Sequence, residues 1–350
     1  MQSRGAVLRL RSGSCIRRTP RVVLLAVLVG LLAAPAVADP YQVSVLFFLF
    51  LAIAMTETYD ITAGYMGYLN LGHGAFFGLG AYIYGMAIAR HGGIVMGLLL
   101  SVASAMVFAG AIGYPLFRLR GAYFAIATFG VLKLMQVLAS NLRDLTGGTT
   151  GLSIPPADNS TIVTYYAGLA VCVAAVALNA WFATSRFGLG LLTIREDEEV
   201  AEASGVETAR LKLLVLVISA ALPGLVGAIY MWQTTYIDPD SGFGSTVAFA
   251  PVIMAVLGGS GTVAGPLIGT VFLTIVQEVL WSHVGYLQLT MYGTVLVLVG
   301  ILMPGGLMRS RLLSRLYARV GFPDHYGYYP SRRLDAGSRH ETTQGRQQCD

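Results

Sequence analysis

The chain has 350 residues, of which 55% are hydrophobic and 12% charged, and this excludes an ordinary soluble domain, which carries about 25% charged residues. Its net charge of +5 comes from arginines that lie mostly outside the apolar stretches, which indicates membrane topology rather than nucleic-acid binding. The apolar runs are continuous and contain many of the 42 glycines, so we predict an all-α, polytopic transmembrane bundle and not a β-barrel.

The N-terminal stretch has the pattern of a basic tail followed by an apolar segment. Six arginines lie within residues 1–21, and residues 22–37 are apolar and end near an Ala-Val-Ala sequence. A cleaved signal peptide and a retained first helix both have this pattern. Both place the basic end in the cytoplasm, and we favour the retained helix because polytopic inner-membrane proteins seldom need a cleaved signal.

Ten apolar segments are long enough to cross a hydrocarbon core of about 30 Å as helices. We predict these spans at residues 22–37, 41–58, 69–89, 94–117, 121–140, 162–183, 211–232, 246–257, 263–280 and 284–303. The segment 246–257 is short, so a full crossing and a re-entrant helix both stay open. The spans form a permease domain over residues 22–308, in two related halves.

Arginine placement agrees with ten crossings and a cytoplasmic N-terminus. Under that topology the arginines at 118 and 120, the loop 184–210 and the segment 309–319 all lie inside. A topology of nine crossings after a cleaved signal peptide places the same arginines inside. We therefore predict a multi-pass protein of the bacterial inner membrane with both termini cytoplasmic.

The polar segments between and after the spans follow from this topology. Loops 141–161 and 236–245 lie outside the cell. The tail 309–350 is basic and polar, and we expect it to be largely disordered.

Two glycine-rich stretches interrupt the apolar pattern. Residues 64–82 contain six glycines, and residues 258–269 form a similar stretch in the second half, each shortly after a long helix. Irregular backbone at membrane depth is tolerated only inside the protein or along a wet cavity. Paired breaks of this kind are typical of a translocation path, whereas close helix packing is the alternative explanation for the glycines.

The candidate path residues are glycines of these stretches together with nearby polar side chains. They are Glu57, Asp60, Gly67, Asn70, Gly72, His73, Gly74, Lys133, Gly258 and Gly259. His73 either donates a hydrogen bond between helices or contacts a passing substrate. No nucleophile and base accompany it, so we expect no enzymatic activity.

The three cysteines are scattered along the chain, and no histidine lies at metal-ligand spacing from them. We expect no metal site, no disulfide framework and no cofactor.

The loop 184–210 is the longest charged segment between spans. Residues 197–203 can form two helical turns, and Gly205 is suited to end them. A short helix protruding on the cytoplasmic face suits docking to a partner, and a solvated loop is the alternative. The candidate coupling residues are Arg195, Glu196, Asp197, Glu198, Ala201, Glu202, Ala203 and Gly205.

The segment 198–205, EEVAEASG, resembles the coupling loop of ABC importer permeases, whose helix docks into a cleft of the ATPase subunit. From about residue 40 to 307 the chain resembles the M-type permease of branched-chain amino acid ABC importers. The motifs that carry this resemblance are YMGYLNLGHGAFF at 65–77, LRGAYFAIAT at 119–128, LTGG at 145–148, IREDE at 194–198, DPDS at 238–241 and VLGG at 256–259.

The chain departs from this family at charged positions. Lys133 stands where the family usually has glutamate, Asp60 stands where it usually has asparagine, and Glu57 adds an acid one turn away. Charges inside a membrane are costly and are functional candidates by default. The acids either pair with Lys133, line the path, or lie near the interface with their charges in water.

The resemblance implies the partners and the energy source. The sequence contains no Gly-x-x-x-x-Gly-Lys-Ser/Thr segment, so we expect ATP to be bound by separate subunits. The implied assembly holds a second, H-type permease, two ATP-binding subunits and an external solute-binding protein in a lipid bilayer, without nucleic acid.

The function that we predict is import of branched-chain or related amino acids by alternating access. Transport of urea, short amides or other small polar solutes stays open, as does an ATP-independent channel.

Overall fold

The computed structural model describes residues 19–155, 161–281 and Thr294. Within these residues the apolar runs form helices, because a helix satisfies every backbone polar group internally. The helices are α1 Thr19–Val37, α2 Pro40–Asp60, α3 His73–Ala89, α4 Ile94–Leu116, α5 Ala122–Asn141, α6 Arg143–Thr146, α7 Thr161–Thr184, α8 Arg186–Glu196, α9 Glu198–Ala203, α10 Thr208–Thr234, α11 Pro239–Phe243, α12 Ser245–Gly258 and α13 Ala264–Trp281.

Six helical segments of the described residues are long and apolar enough to cross a membrane. They are Pro40–Tyr65, Ile94–Leu116, Ala122–Asn141, Thr161–Thr184, Thr208–Thr234 and Pro239–Gly258. The fold is therefore an all-α membrane bundle, as predicted. The number of ten spans stays a prediction, and the predicted span 284–303 and tail 309–350 lie outside the described residues apart from Thr294.

The helix α10 lies at the centre of the bundle and packs against α2, α3, α4 and α7. Its glycines allow the closest contacts: a Cβ on Gly227 would lie 1.9 Å from the carbonyl oxygen of Phe77 in α3. A Cβ on Gly80 of α3 would lie 2.0 Å from the carbonyl oxygen of Gly224. Small residues thus bring the two helix backbones together, as is common in membrane bundles.

Both predicted glycine breaks are present, but each is shorter than predicted. The first helix run ends in a π-helical turn, Ile61–Tyr65, and residues 66–72 are non-helical before α3 begins at His73. The second break comprises residues 259–263, between α12 and α13. Glycines beyond residues 72 and 263 lie inside helices, where they serve close packing, because helical geometry already satisfies their backbone groups.

The two loops predicted to lie outside the cell are joined by a pair of two-residue strands. Strand β1, Leu152–Ser153, pairs antiparallel with β2, Tyr236–Ile237, with Leu152 opposite Ile237. The Tyr236 hydroxyl also donates to the Thr150 carbonyl oxygen at 3.1 Å. This pairing places both loops at the same end of the bundle, as the predicted topology requires.

Candidate translocation and coupling site

The first break is stabilised by side chains that bond to its backbone. The Asn70 side chain is buried, and its Oδ1 accepts from the Gly72 N–H at 3.0 Å. The Leu71 N–H donates to Thr128 Oγ1 of α5 at 3.2 Å. Gly67 has φ +78°, a left-handed conformation that favours glycine. Two backbone N–H groups of the break, those of Leu71 and Gly72, therefore have side-chain acceptors.

Asp60 connects the first break to the second. Its carboxylate is fully buried at the end of α2, and it accepts from the Gly261 N–H at 3.0 Å and from the Ser260 hydroxyl. Gly64 lies in the same contact, since a Cβ there would lie 2.5 Å from the Gly261 nitrogen. The two breaks, some 200 residues apart in sequence, therefore meet at one carboxylate.

Glu57 lies one turn earlier on α2 and faces α7. The Asn179 amide donates to Glu57 Oε2 at 2.6 Å, and Asn179 Oδ1 accepts from the Tyr65 hydroxyl at 2.7 Å. Both Glu57 and Asn179 are fully buried. Among the described residues, Glu57 Oε1 has no hydrogen-bond partner. A buried polar network thus crosses from α2 to α7.

Lys133 is not part of this network, so its suggested pairing with Glu57 or Asp60 is wrong. Its ammonium donates to Gln136 Oε1 at 2.7 Å, and Gln136 donates in turn to Asp240 Oδ1 at 2.5 Å. Lys133 therefore belongs to the end of the bundle that carries the paired strands. The suggestion that Glu57 and Asp60 keep their charges in water is also wrong, because both side chains are 0% exposed.

A third polar group lies on the α3-facing side of α2. The Thr58 hydroxyl donates to the Ala54 carbonyl oxygen at 2.8 Å, and its oxygen lies 3.0 Å from His73 Nε2. Which of these two atoms donates depends on the tautomer of His73. Among the described residues, His73 Nδ1 and the Tyr59 hydroxyl have no hydrogen-bond partner, although both residues are 1% exposed.

The second break is closed by contacts between backbones. A Cβ on Gly258 would lie 1.7 Å from the Gly265 carbonyl oxygen, and Gly259 has φ +118°. Gly74 at the start of α3 approaches Val247 of α12, since a Cβ there would lie 3.0 Å from Val247 Cγ1. The predicted path residue Gly74 therefore lies where α3 approaches α12, and Gly258 and Gly259 lie where α12 approaches α13.

The loop 184–210 contains the short helix that the sequence predicts. The Asp197 carboxylate caps α9 by accepting from the N–H groups of Glu199 and Val200, at 2.9 and 3.2 Å. Gly205, with φ +88°, follows the end of the helix. Ala201 is fully buried and belongs to the same apolar cluster as Ile61 and Tyr65 of the π-helical turn. The helix α9 thus lies directly against the first break.

Glu198 binds the first break through Tyr68. The Tyr68 hydroxyl donates to Glu198 Oε2 at 2.7 Å, and Lys212 of α10 donates to Oε1. Arg120 lies 3.9 Å from the same carboxylate. Burial by itself raises the pKa of Glu198, but the hydrogen bonds from Lys212 and Tyr68 and the nearby cations outweigh it and lower the pKa.

Arg195 makes a second contact to the break. Its guanidinium Nη1 donates to the Gly64 carbonyl oxygen at 2.5 Å. A Cβ on Gly67 would lie 2.9 Å from Arg195 Cγ, and a Cβ on Gly261 would lie 3.2 Å from Nη1. One arginine of the loop 184–210 therefore lies against both breaks.

The other predicted coupling residues form a free surface on the described part of the chain. Glu196, Asp197, Glu202, Ala203 and Gly205 are exposed. Val200, which the sequence analysis did not include, is 58% exposed between them. The loop therefore has an inner side, with Glu198 and Ala201, and an outer side that can contact another protein, while Arg195 is exposed although its guanidinium reaches Gly64.

An apolar groove of about 510 Å³ lies between helices of the bundle. It opens beside α11 and runs between α2, α3, α10 and α12, and we call it the α2–α12 groove. Its walls are Phe48, Leu51, Ala52, Met55, Phe77, Val226, Tyr230, Asp240, Ser241, Thr246, Val247, Ala250, Pro251 and Met254. Walls of this kind suit an aliphatic group.

Several residues of the site were missed from the sequence. Tyr59, Asn179 and Ser260 carry no charge, so charge placement could not single them out. Asn179 had a signal, since an asparagine in a long apolar span is unusual and calls for a partner. Among the described residues no group of three or more histidines, cysteines or acids could hold a metal ion.

The family described as "Branched-chain amino acid transport system / permease component" matches residues 40–303 of this chain. The chain is 27% identical, over 331 residues, to the high-affinity branched-chain amino acid transport system permease protein LivM of Escherichia coli K12. That alignment covers 85% of this chain and 76% of LivM.

Two further transport permeases are also similar to this chain. The corresponding permease protein LivH of Escherichia coli K12 is 28% identical over 71% of this chain and 88% of LivH. The autoinducer 2 import system permease protein LsrC of Salmonella paratyphi B is 28% identical over 42% of this chain and 45% of LsrC. No solved structure matches the chain.

Proposed function

The chain belongs to the family of branched-chain amino acid transport permeases, and from this premise we propose that it is the membrane subunit of an ABC importer. Its cargo is branched-chain or related amino acids, and separate ATPase subunits drive alternating access. The termini lie in the cytoplasm, so that α8 and α9 face the ATPases and the paired strands β1 and β2 face outward.

The observation that carries this proposal is the double contact between the cytoplasmic loop and the first break. Tyr68 binds Glu198, and Arg195 binds the Gly64 carbonyl oxygen. A displacement of α9 by an ATPase subunit therefore moves the backbone at the break through these two hydrogen bonds, both of which are charge-assisted. Because Asp60 accepts from the Gly261 N–H, the displacement also reaches the second break.

The partners follow from the relatives and from the surfaces. LivM and LivH of one bacterium are both similar to this chain, which supports pairing with a second permease subunit. The exposed outer side of α9 is suited to the ATPase, and the end with β1 and β2 is suited to an external solute-binding protein.

An ATP-independent channel for amides or other small solutes is the competing function. Such a channel needs no docking helix, and the ordered, capped α9 with its apolar Val200 on the outer side speaks against it. The two functions differ in whether uptake depends on α9.

The test places a charge on the outer side of α9. We expect Val200→Asp to lose co-purification with the ATPase subunits and to lose leucine uptake, while the protein stays folded because Val200 is exposed. The matched control is Ala209→Asp, which adds the same charge at an exposed position in the first turn of α10. Normal leucine uptake by Val200→Asp without ATPase association would contradict the importer function.

A further inference from the structure

Another apolar groove, of about 550 Å³, lies between α3 and α4, and we call it the α3–α4 groove. One face of each helix lines it, because its residues recur three or four positions apart along both helices. They are Ile83, Met86, Ala87 and Arg90 from α3 and its end, Gly92 from the turn, and Met96, Leu100, Ala103, Ser104 and Val107 from α4.

The groove lies beside the line where the two helices touch. A Cβ on Gly97 of α4 would lie 2.9 Å from the Tyr84 ring of α3, and the Ser101 hydroxyl of α4 donates to the Gly80 carbonyl oxygen at 2.8 Å. Next to this contact the side chains are small, at Ala87, Ala103 and Ser104. The helix pair therefore leaves an open channel along its length.

The exposure and the length of the groove suit a lipid acyl chain. The helix α4 is one of the six segments that can cross a membrane, and Met96, Leu100 and Val107 are 59%, 45% and 72% exposed on this chain. Val107 follows Met96 by 11 residues, which is about 16 Å along a helix. One leaflet is half of a hydrocarbon core of about 30 Å. The groove thus extends over the acyl region of one leaflet.

One end of the groove carries a positive charge. Arg90 directly follows α3, and its exposed side chain lines the groove. Among the described residues its guanidinium makes no hydrogen bond or ion pair. This end of the bundle also carries β1, since a Cβ on Gly85 would lie 2.7 Å from the Leu152 side chain. The guanidinium therefore lies where a phospholipid whose chain occupies the groove has its phosphate.

We propose that the α3–α4 groove binds one anionic phospholipid, with an acyl chain against Met96, Leu100 and Val107 and the phosphate on Arg90. The planar guanidinium donates two parallel hydrogen bonds to a phosphate, and a headgroup of net negative charge leaves the arginine neutralised. This binding site goes beyond the transport function and requires only that the chain lies in a membrane. Under the topology proposed above, the lipid belongs to the outer leaflet.

The test counts the lipids bound to the purified complete complex by native mass spectrometry, during titration with phosphatidylglycerol or phosphatidylcholine. We expect one phosphatidylglycerol per copy of this chain to bind about fivefold more tightly than phosphatidylcholine, because one arginine near the headgroups contributes about 1 kcal/mol. Arg90→Gln should remove this preference. Ala103→Phe fills the groove, and we expect it to lose one bound lipid of either kind.

The matched controls are Arg143→Gln and Ala111→Phe. Arg143 is an exposed arginine of α6, and Ala111 is an exposed alanine of α4, but neither lines the groove. Both variants should bind lipid as the wild type does. Inorganic phosphate at the concentration of the lipid should not displace it, because phosphate alone has no contact with the apolar walls.

The same preference for phosphatidylglycerol in Arg90→Gln as in the wild type would overturn the inference, and so would an unchanged lipid count in Ala103→Phe. Displacement of the lipid by inorganic phosphate would show a site for free anions instead. If Ala103→Phe loses the second permease subunit during purification, the groove is an interface between subunits, and the inference is overturned as well.

Discussion

The two glycine-rich breaks are built differently. The first, which comprises the π-helical turn Ile61–Tyr65 and residues 66–72, is held by side chains, with Asn70, Thr128, Tyr68 and Arg195 bonding to it or from it. The second, residues 259–263, also has side-chain bonds, from Asp60 and within it from Thr262, but the backbones of Gly258 and Gly265 beside it are in close contact as well. Side-chain contacts can be exchanged for others, whereas backbones in contact cannot move without separating helices. We infer that the first break is the movable joint and the second the fixed one.

The largest expected effect comes from adding a methyl group to the second break. Gly258→Ala would place Cβ 1.7 Å from the Gly265 carbonyl oxygen, so α12 and α13 must separate. We expect a loss of about 3 kcal/mol in the free energy of unfolding. Gly67→Ala in the first break meets only the Arg195 side chain and a left-handed φ, so we expect a loss of about 1 kcal/mol.

Unfolding in detergent measures both changes, and Gly130→Ala serves as the control because a Cβ there has no atom within 4 Å. Equal losses in the free energy of unfolding for Gly258→Ala and Gly67→Ala would contradict the inference that the second break is more rigid than the first.

The next effect concerns the carboxylate that joins the breaks. Asp60→Ala leaves the Gly261 N–H and the Ser260 hydroxyl without an acceptor, and we expect a loss of about 2 kcal/mol in the free energy of unfolding. Asp60→Asn keeps one acceptor oxygen and should lose less than half as much, because Gly261 retains its bond. Similar unfolding curves for Asp60→Ala and the wild type would show that the link between the breaks carries no stability.

How far the sequence predicts this site depends on the kind of interaction. Apolar runs and turn residues act locally, so the helices, both breaks and the α9 helix with Gly205 after it were predictable. The partner of each buried acid depends on which distant helix faces it. Glu57 bonds to Asn179 and not to Lys133, because α2 packs on α7. This packing cannot be predicted from the positions of the charged residues in the sequence.

A smaller effect is expected at the contact between the first break and α9. Tyr68→Phe removes the hydroxyl that donates to Glu198, a bond of about 1.5 kcal/mol, and leaves the fold intact. We expect ATP hydrolysis in the complex to respond less to the loaded binding protein, by several-fold. Tyr123→Phe, at an exposed tyrosine of α5, is the control. An unchanged response in Tyr68→Phe would exclude this hydroxyl from coupling.

The smallest effect is a pH dependence of the same contact. Because the pKa of Glu198 is lowered in the folded protein, its contribution is present above the ordinary glutamate pKa and is lost as the pH falls through the lowered value. Hydrogen exchange of the α9 amides should therefore show weaker protection below about pH 4. Glu198→Gln does not titrate, so its protection should not change in this range; a change as large as in the wild type would assign the effect to another group.

ATP-driven accumulation of leucine tests the central claim most directly. The chain is reconstituted in vesicles with its second permease, the ATPase subunits and the binding protein, and internal radiolabelled leucine is measured with and without ATP. The account predicts accumulation above the external concentration only with ATP, and its loss in Val200→Asp but not in Ala209→Asp. Equal internal and external leucine with ATP present, or the same accumulation in Val200→Asp, would contradict it.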